Sequence, residues 1–205
     1  TPNSKMKNSK VSQDDPQIVL REINYSYGKV HANKANKSAG GIYAELANFT
    51  IDHVTFENDS VFGFDHNDES IGLGGAMYNV DSRINITDTT KFVNNYAGRY
   101  GGAVANHYKD LDPNLLKLSS FECINTLFEN NHALLGGGAL YNKNVKNRVV
   151  DLTSIKISNC RFWNNKAFYN GSLPSLGNFI EVKGGAILNQ NCGFTINWAN
   201  FVGNT

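Results

Sequence analysis

Two short motifs alternate along this chain, five copies of each, and no other feature limits the fold as much. The first is a double glycine, then a small or apolar residue, an aliphatic residue and, two positions on, usually Asn. It occurs as Gly74-Gly75-Ala76-Met77-Tyr78-Asn79 and Gly101-Gly102-Ala103-Val104-Ala105-Asn106. It returns as Gly137-Gly138-Ala139-Leu140-Tyr141-Asn142 and Gly184-Gly185-Ala186-Ile187-Leu188-Asn189, with a degenerate first copy at Gly40-Gly41-Ile42-Tyr43. The second motif is Phe followed two and three positions later by Asn or a near equivalent. Phe56, Phe92, Phe128, Phe162 and Phe201 head its copies, and Asn95, Asn131 and Asn165 close the middle three. Strict alternation marks a repeat architecture, in which one small unit recurs and neighbouring copies bury each other's apolar face.

The residues ahead of each Phe show what the unit is. Counting back, apolar or small residues fall at −7, −5 and −2: Phe49, Ile51 and Val54 before Phe56, and Ile155, Ile157 and Cys160 before Phe162. Phe121, Cys123 and Thr126 precede Phe128 in the same way, as Phe194, Ile196 and Ala199 precede Phe201. The copy ending at Phe92 carries one inserted residue after Ile84 and Ile86. A step of two is a strand with one face buried, and the step of three marks a bend where the inward parity resets. Helical spacing is absent. Strands this short cannot stand alone, because their backbone groups need partners. Stacking like coils in register supplies those partners about 4.8 Å above and below, and lines up the inward Phe and Ile side chains as one core. Glycine and Asn serve the corners, since both tolerate positive φ, and Asn at a repeated corner can stack as an amide ladder. The expected fold is all-β: a single-stranded parallel β-helix, or solenoid, of about five coils with loop insertions at its corners.

The shortest unit, from the double glycine at 74 to that at 101, is 27 residues and close to a bare coil. Longer units carry insertions at two places: 62–73 and 168–183 after the Phe-x-Asn-Asn corner, and 107–119 and 143–153 after the double-glycine strand. Loops at fixed corners of a repeat protein are where recognition is usually carried. Residues 1–17 read as a flexible polar lead-in and 18–205 as the solenoid, with a degenerate early coil at 19–27. The start lacks both an initiator Met and a signal peptide, and the last residues stop inside a motif that elsewhere runs on to the next double glycine. Both ends therefore suggest a segment of a longer protein. A formal charge of +1 gives no electrostatic footprint for nucleic acid, and no apolar run is long enough for membrane insertion as a helix.

The alternating Gly-Gly-Ala-aliphatic and Phe-x-x-Asn motifs resemble the repeat signature of the chlamydial polymorphic outer-membrane proteins. A similar repeat occurs in adhesin-like surface proteins of methanogenic archaea. The match is close at 92–104 and 128–141 and covers the chain from about Gly40 to its end. The resemblance implies a right-handed parallel β-helix displayed extracellularly at the cell surface, like an autotransporter passenger on an outer membrane, with a role in adhesion to another cell. It transfers no catalytic residue. The long insertions depart from the pattern, as does Gly203 at a corner otherwise held by Asn.

Candidate chemistry is sparse. Cys123 and Cys160 occupy inward positions and read as small core residues, while Cys192 falls in a turn; pairing of Cys160 with Cys192 on the next coil is a weaker option because their registers differ. Asp65, Asn67, Asp68 and Glu69 have oxygen-ligand character, yet the segment lacks the Gly and Glu of a calcium loop. Solvated loop acids are the simpler reading, with calcium as the alternative; no other cofactor is expected. Polysaccharide lyases and hydrolases share the β-helix fold, but they gather carboxylates on one face of neighbouring coils. Asp52, Asp88 and Asp151 read as lying at different registers, so no enzyme is expected. The expectation is an extracellular adhesin segment whose scaffold presents loops to a cell-surface protein or glycan. Aromatic side chains in those loops are the contact candidates: Phe62, Phe64, Tyr108, Phe168, Tyr169 and Phe179. A structural stalk or cell-wall spacer is the alternative, with a β-helical carbohydrate-active enzyme behind it.

Overall fold

A computed structural model describes residues 21–65, 68, 70–109, 119–144, 154–168 and 182–205. These form 22 strands and no helix. The first turn contains β1 (Arg21–Ser26), β2 (Lys29–His31), β3 (Lys34–Ala35) and β4 (Ile42–Glu45). The second contains β5 (Ala47–Asp52), β6 (Thr55–Glu57), β7 (Ser60–Val61) and β8 (Met77–Val80). The third follows as β9 (Arg83–Thr87), β10 (Lys91–Val93), β11 (Tyr96–Ala97) and β12 (Val104–Tyr108). The fourth is β13 (Ser120–Ile124), β14 (Leu127–Glu129), β15 (His132–Ala133) and β16 (Leu140–Asn144). β17 (Ser154–Ser158), β18 (Arg161–Trp163), β19 (Lys166–Ala167) and β20 (Ile187–Gln190) make the fifth. A half turn of β21 (Gly193–Asn197) and β22 (Asn200–Val202) completes the described chain.

Each strand pairs in parallel with its counterparts one turn away, giving two sheets of six strands and two of five. This is the β-helix expected from the repeat, with about five coils. The early coil is real: β1 pairs with β5 from Arg21↔Ala47 to Ser26↔Asp52. The inward register also holds. Ile51, Val54, Phe56, Ile84, Ile86, Phe92, Phe121, Phe128, Ile157 and Phe162 are fully buried in one continuous core. Phe56, Phe92, Phe128, Phe162 and Phe201 stack as near-parallel rings with centroids 4.7, 5.0, 4.7 and 4.8 Å apart. In-register parallel pairing fixes that spacing, because it sets identical side chains one strand separation apart.

In the last four pairs, both glycines face backbone that a Cβ would strike. Gly74, Gly101, Gly137 and Gly184 take positive φ, as a corner requires. A Cβ on any of these would also lie 2.1–2.4 Å from the carbonyl oxygen three residues on, in the same turn, whereas the second glycine meets the next turn. A Cβ on Gly75 would lie 2.0 Å from the carbonyl oxygen of Gly102, and one on Gly102 would lie 2.0 Å from that of Gly138. A Cβ on Gly138 would lie 2.1 Å from the carbonyl oxygen of Gly185.

The two Asn of the Phe-x-Asn-Asn corner divide the work. Asn58, Asn94, Asn130 and Asn164 adopt φ of 58°, 56°, 54° and 52°, and Gly203, the departure from the motif, meets the same demand at 64°. The following residues form a buried ladder. Asn95 donates its backbone N–H and Nδ2 to Asn131 Oδ1 at 3.1 and 3.0 Å, and Asn131 does the same to Asn165. Asn165 continues the ladder to Asn204. Each Nδ2 also caps the carbonyl of the Phe one turn back: Asn95 to Phe56, Asn131 to Phe92, Asn165 to Phe128 and Asn204 to Phe162. A second inward ladder joins Asn79, Asn106 and Asn142 on the fourth sheet, at 2.7 Å per step.

Two local expectations need correction. The insertion placed at 107–119 begins later, because β12 runs through Tyr108, and that at 143–153 begins beyond β16. The fourth sheet is buried on both faces: Met77, Val104 and Leu140 belong to the core, while Tyr78, Val80, Ala105 and Tyr141 join Ala39 and Leu73 in a separate outer cluster. The lead-in at 1–17 lies outside the described residues.

Candidate functional site

The corner between the first and second sheets is built by the residue three before each Phe. His53, Thr89, Asn125, Asn159 and Trp198 all hold positive φ there, as does Tyr27 in the first turn. A left-handed residue at a tight bend throws its side chain outward, so this column is displayed along the side of the solenoid. Trp198 is 88% exposed. Tyr27 stacks on His53 at 4.7 Å, and His53 Nδ1 lies 2.7 Å from Asp52 Oδ1. Farther along, Asn159 Nδ2 donates to Asn125 Oδ1 at 2.7 Å, and Asn125 Nδ2 to Asp88 Oδ1 at 3.1 Å.

Beside this column runs a groove of about 360 Å³ across the third, fourth and fifth turns. Thr89, Asn125 and Asn159 form one wall, and Lys91, Leu127 and Arg161 form the other. Thr90 and Thr126 make its buried floor, where Thr90 Oγ1 donates to Thr87 O at 2.8 Å and Thr126 Oγ1 to Ile124 O at 3.0 Å. The Arg161 guanidinium sits 5.7 Å from the Trp163 ring centroid, a cation–π contact that supports a long side chain without neutralising it. The groove thus offers amides, hydroxyls and two cations on a rigid bed, which suits a polar, partly anionic chain.

Residues 125–143 match the Chlamydia polymorphic membrane protein repeat. The chain carries that repeat. The matched stretch spans β14, β15 and most of β16, so the repeat includes the groove residues Asn125, Thr126 and Leu127. No curated protein and no solved structure matches the chain.

The loop aromatics named from the sequence are scattered by the fold. Phe62 and Phe168 are 53% and 56% exposed, and Phe62 also leans on Tyr96 with ring centroids 5.6 Å apart. Phe64 is half-buried. Tyr108 is not available as a contact: only 2% exposed, it ends β12 with its ring in the main core. Alternation along the strand turns it inward, a parity that a loop assignment conceals. Tyr169 and Phe179 lie outside the described residues, as do Asn67 and Glu69 of the acidic segment. Asp68 accepts from the Ser70 N–H at 2.9 Å and Oγ at 2.6 Å, which hold its carboxyl below the usual range.

Asp52 and Asp88 share one corner on neighbouring turns, where the register reading set them apart. Both lie four residues before a Phe, and the N–H of His53 donates to Asp88 O at 3.1 Å. The groove itself escaped the sequence reading. Its signal is visible in retrospect at −3 and −1 from each Phe, positions passed over as a bend because only the inward set was followed.

Proposed function

We propose that this segment is a non-enzymatic extracellular adhesin module that binds an acidic cell-surface glycan along the groove of turns three to five. The supporting observation is the groove's lining, which places Lys91 and Arg161 beside displayed amides on a bed held by parallel pairing. The family matched at 125–143 is a membrane protein family of Chlamydia by its name, which supports a cell-surface location and the adhesin reading. A polar groove open along one side accommodates an extended chain rather than a small enclosed substrate, and rigid amides orient hydroxyl-rich ligands without induced fit.

Glycan-array and host-cell binding of the isolated chain test the proposal. Binding concentrated on carboxylated or sulfated glycans is expected, with Asn159→Ala and Arg161→Ala each weakening it about tenfold, or about 1.4 kcal/mol. Undiminished binding in both variants, with unchanged circular dichroism, rules out the groove. Absence of binding to any glycan or cell rules out the adhesin reading and leaves a stalk or spacer.

A further inference from the structure

Cys123 and Cys160 come from different turns and different registers. Cys123 lies on β13 in the inward column of Ile51, Ile86, Ile157 and Ile196. Cys160 stands at the corner before β18, in the place that Val54, Thr90, Thr126 and Ala199 hold in other turns. The columns are three residues apart within a turn, yet stacking brings the two sulfurs together diagonally between the fourth and fifth turns. Their Sγ atoms are 3.1 Å apart, about 1 Å beyond disulfide bond length. Both residues are buried, at 0% and 1% exposure, so this is a contact inside the core. Cys192 lies elsewhere, half-buried, with its thiol donating to Gln190 O at 3.4 Å.

We propose that Cys123 and Cys160 are a disulfide site, closed by exchange with a low-molecular-weight disulfide as the fifth turn docks on the fourth. The Cys160 thiolate attacks the external disulfide and expels one thiolate, leaving a mixed disulfide on Cys160. Cys123, deprotonated, then attacks the Cys160 sulfur and expels the second. The two protons pass to the expelled thiolates; the cysteines are oxidised by two electrons and the reagent is reduced to two thiols. Exchange that begins at Cys123 instead balances in the same way, because either sulfur can be the donor in the contact. The bond staples two consecutive turns across the 123–160 segment and, once formed, lies where a reductant reaches it only through unfolding.

The test unfolds the full chain in reductant, refolds it in oxidised and reduced glutathione, and alkylates the remaining thiols under denaturing conditions. Expected are one alkylated cysteine, Cys192, a Cys123–Cys160 cross-linked peptide in a non-reducing digest, and a midpoint roughly 10 °C above that of protein refolded in reductant. Three alkylated cysteines, lasting glutathione adducts, or a cross-link that includes Cys192 overturns the site. Peptide mapping needs no variant, so a core substitution that fails to fold does not blunt the result. Cys123→Ala, where it folds, is expected to abolish the midpoint difference; a difference that persists in it counts against the proposal.

Discussion

Asp59 breaks the buried amide ladder. It is fully buried, accepts from the Asn33 N–H and Nδ2 through Oδ1, and leaves Oδ2 without a donor. In the other rungs that second atom is an Nδ2 donating to the next rung and to a backbone carbonyl. Burial accordingly raises the Asp59 carboxyl above its ordinary range. A raised acid holds its proton longer folded than unfolded, so stability falls as pH climbs from the ordinary carboxylate range through the raised value. Asp59→Asn is expected to stabilise the chain by about 1–3 kcal/mol at pH 7 and by less at pH 4, as urea unfolding at both values would read. A gain that does not shrink with acid counts against this account. The double glycines give a second prediction. Gly101→Ala places a Cβ at positive φ, which alone costs about 1–2 kcal/mol, and 2.4 Å from Val104 O in its own turn, while Gly102→Ala drives a Cβ to 2.0 Å from the next turn's Gly138 O. Both changes are expected to lower the thermal midpoint, and an alanine tolerated at either position counts against this account.

At the scale of elements, the Phe column carries a large share of the core. Phe128 lies between Phe92 and Phe162, fully buried, whereas Phe201 is 45% exposed beside β18 alone. Phe128→Ala is expected to cost about 3–5 kcal/mol, and Phe201→Ala distinctly less, by chemical denaturation. Equal costs would mean that the column does not act as a packed stack. Strand positions were legible because a one-sided strand alternates, and the inward set at −7, −5, −2 and 0 kept its parity through a bend of one length in every copy except that ending at Phe92, which is one residue longer. The fourth sheet was harder to read. Both of its faces are buried, so Val104–Tyr108 shows no alternation to mark where the strand ends, and Tyr108 passed for a loop residue.

At the scale of the whole molecule, the displayed corner column and its groove are where the proposed glycan contact falls. Lys91 and Arg161 are exposed, so their attraction to an acidic glycan is screened by salt; affinity is expected to fall between about 0.05 and 0.5 M NaCl, more steeply in the native chain than in Arg161→Ala. Identical salt slopes would remove Arg161 from the interface. What the sequence by itself determined was the coil: its strands, its inward face, its glycine and asparagine corners, and hence a parallel stack of about five turns. Those are local or periodic properties, written once per repeat. Only the tertiary structure decided which residues meet between turns: the diagonal Cys123–Cys160 contact and the groove walled by Asn125, Asn159 and Arg161. Such pairs depend on the offset of one turn upon the next, which unequal insertions obscure along the chain and backbone pairing fixes in space.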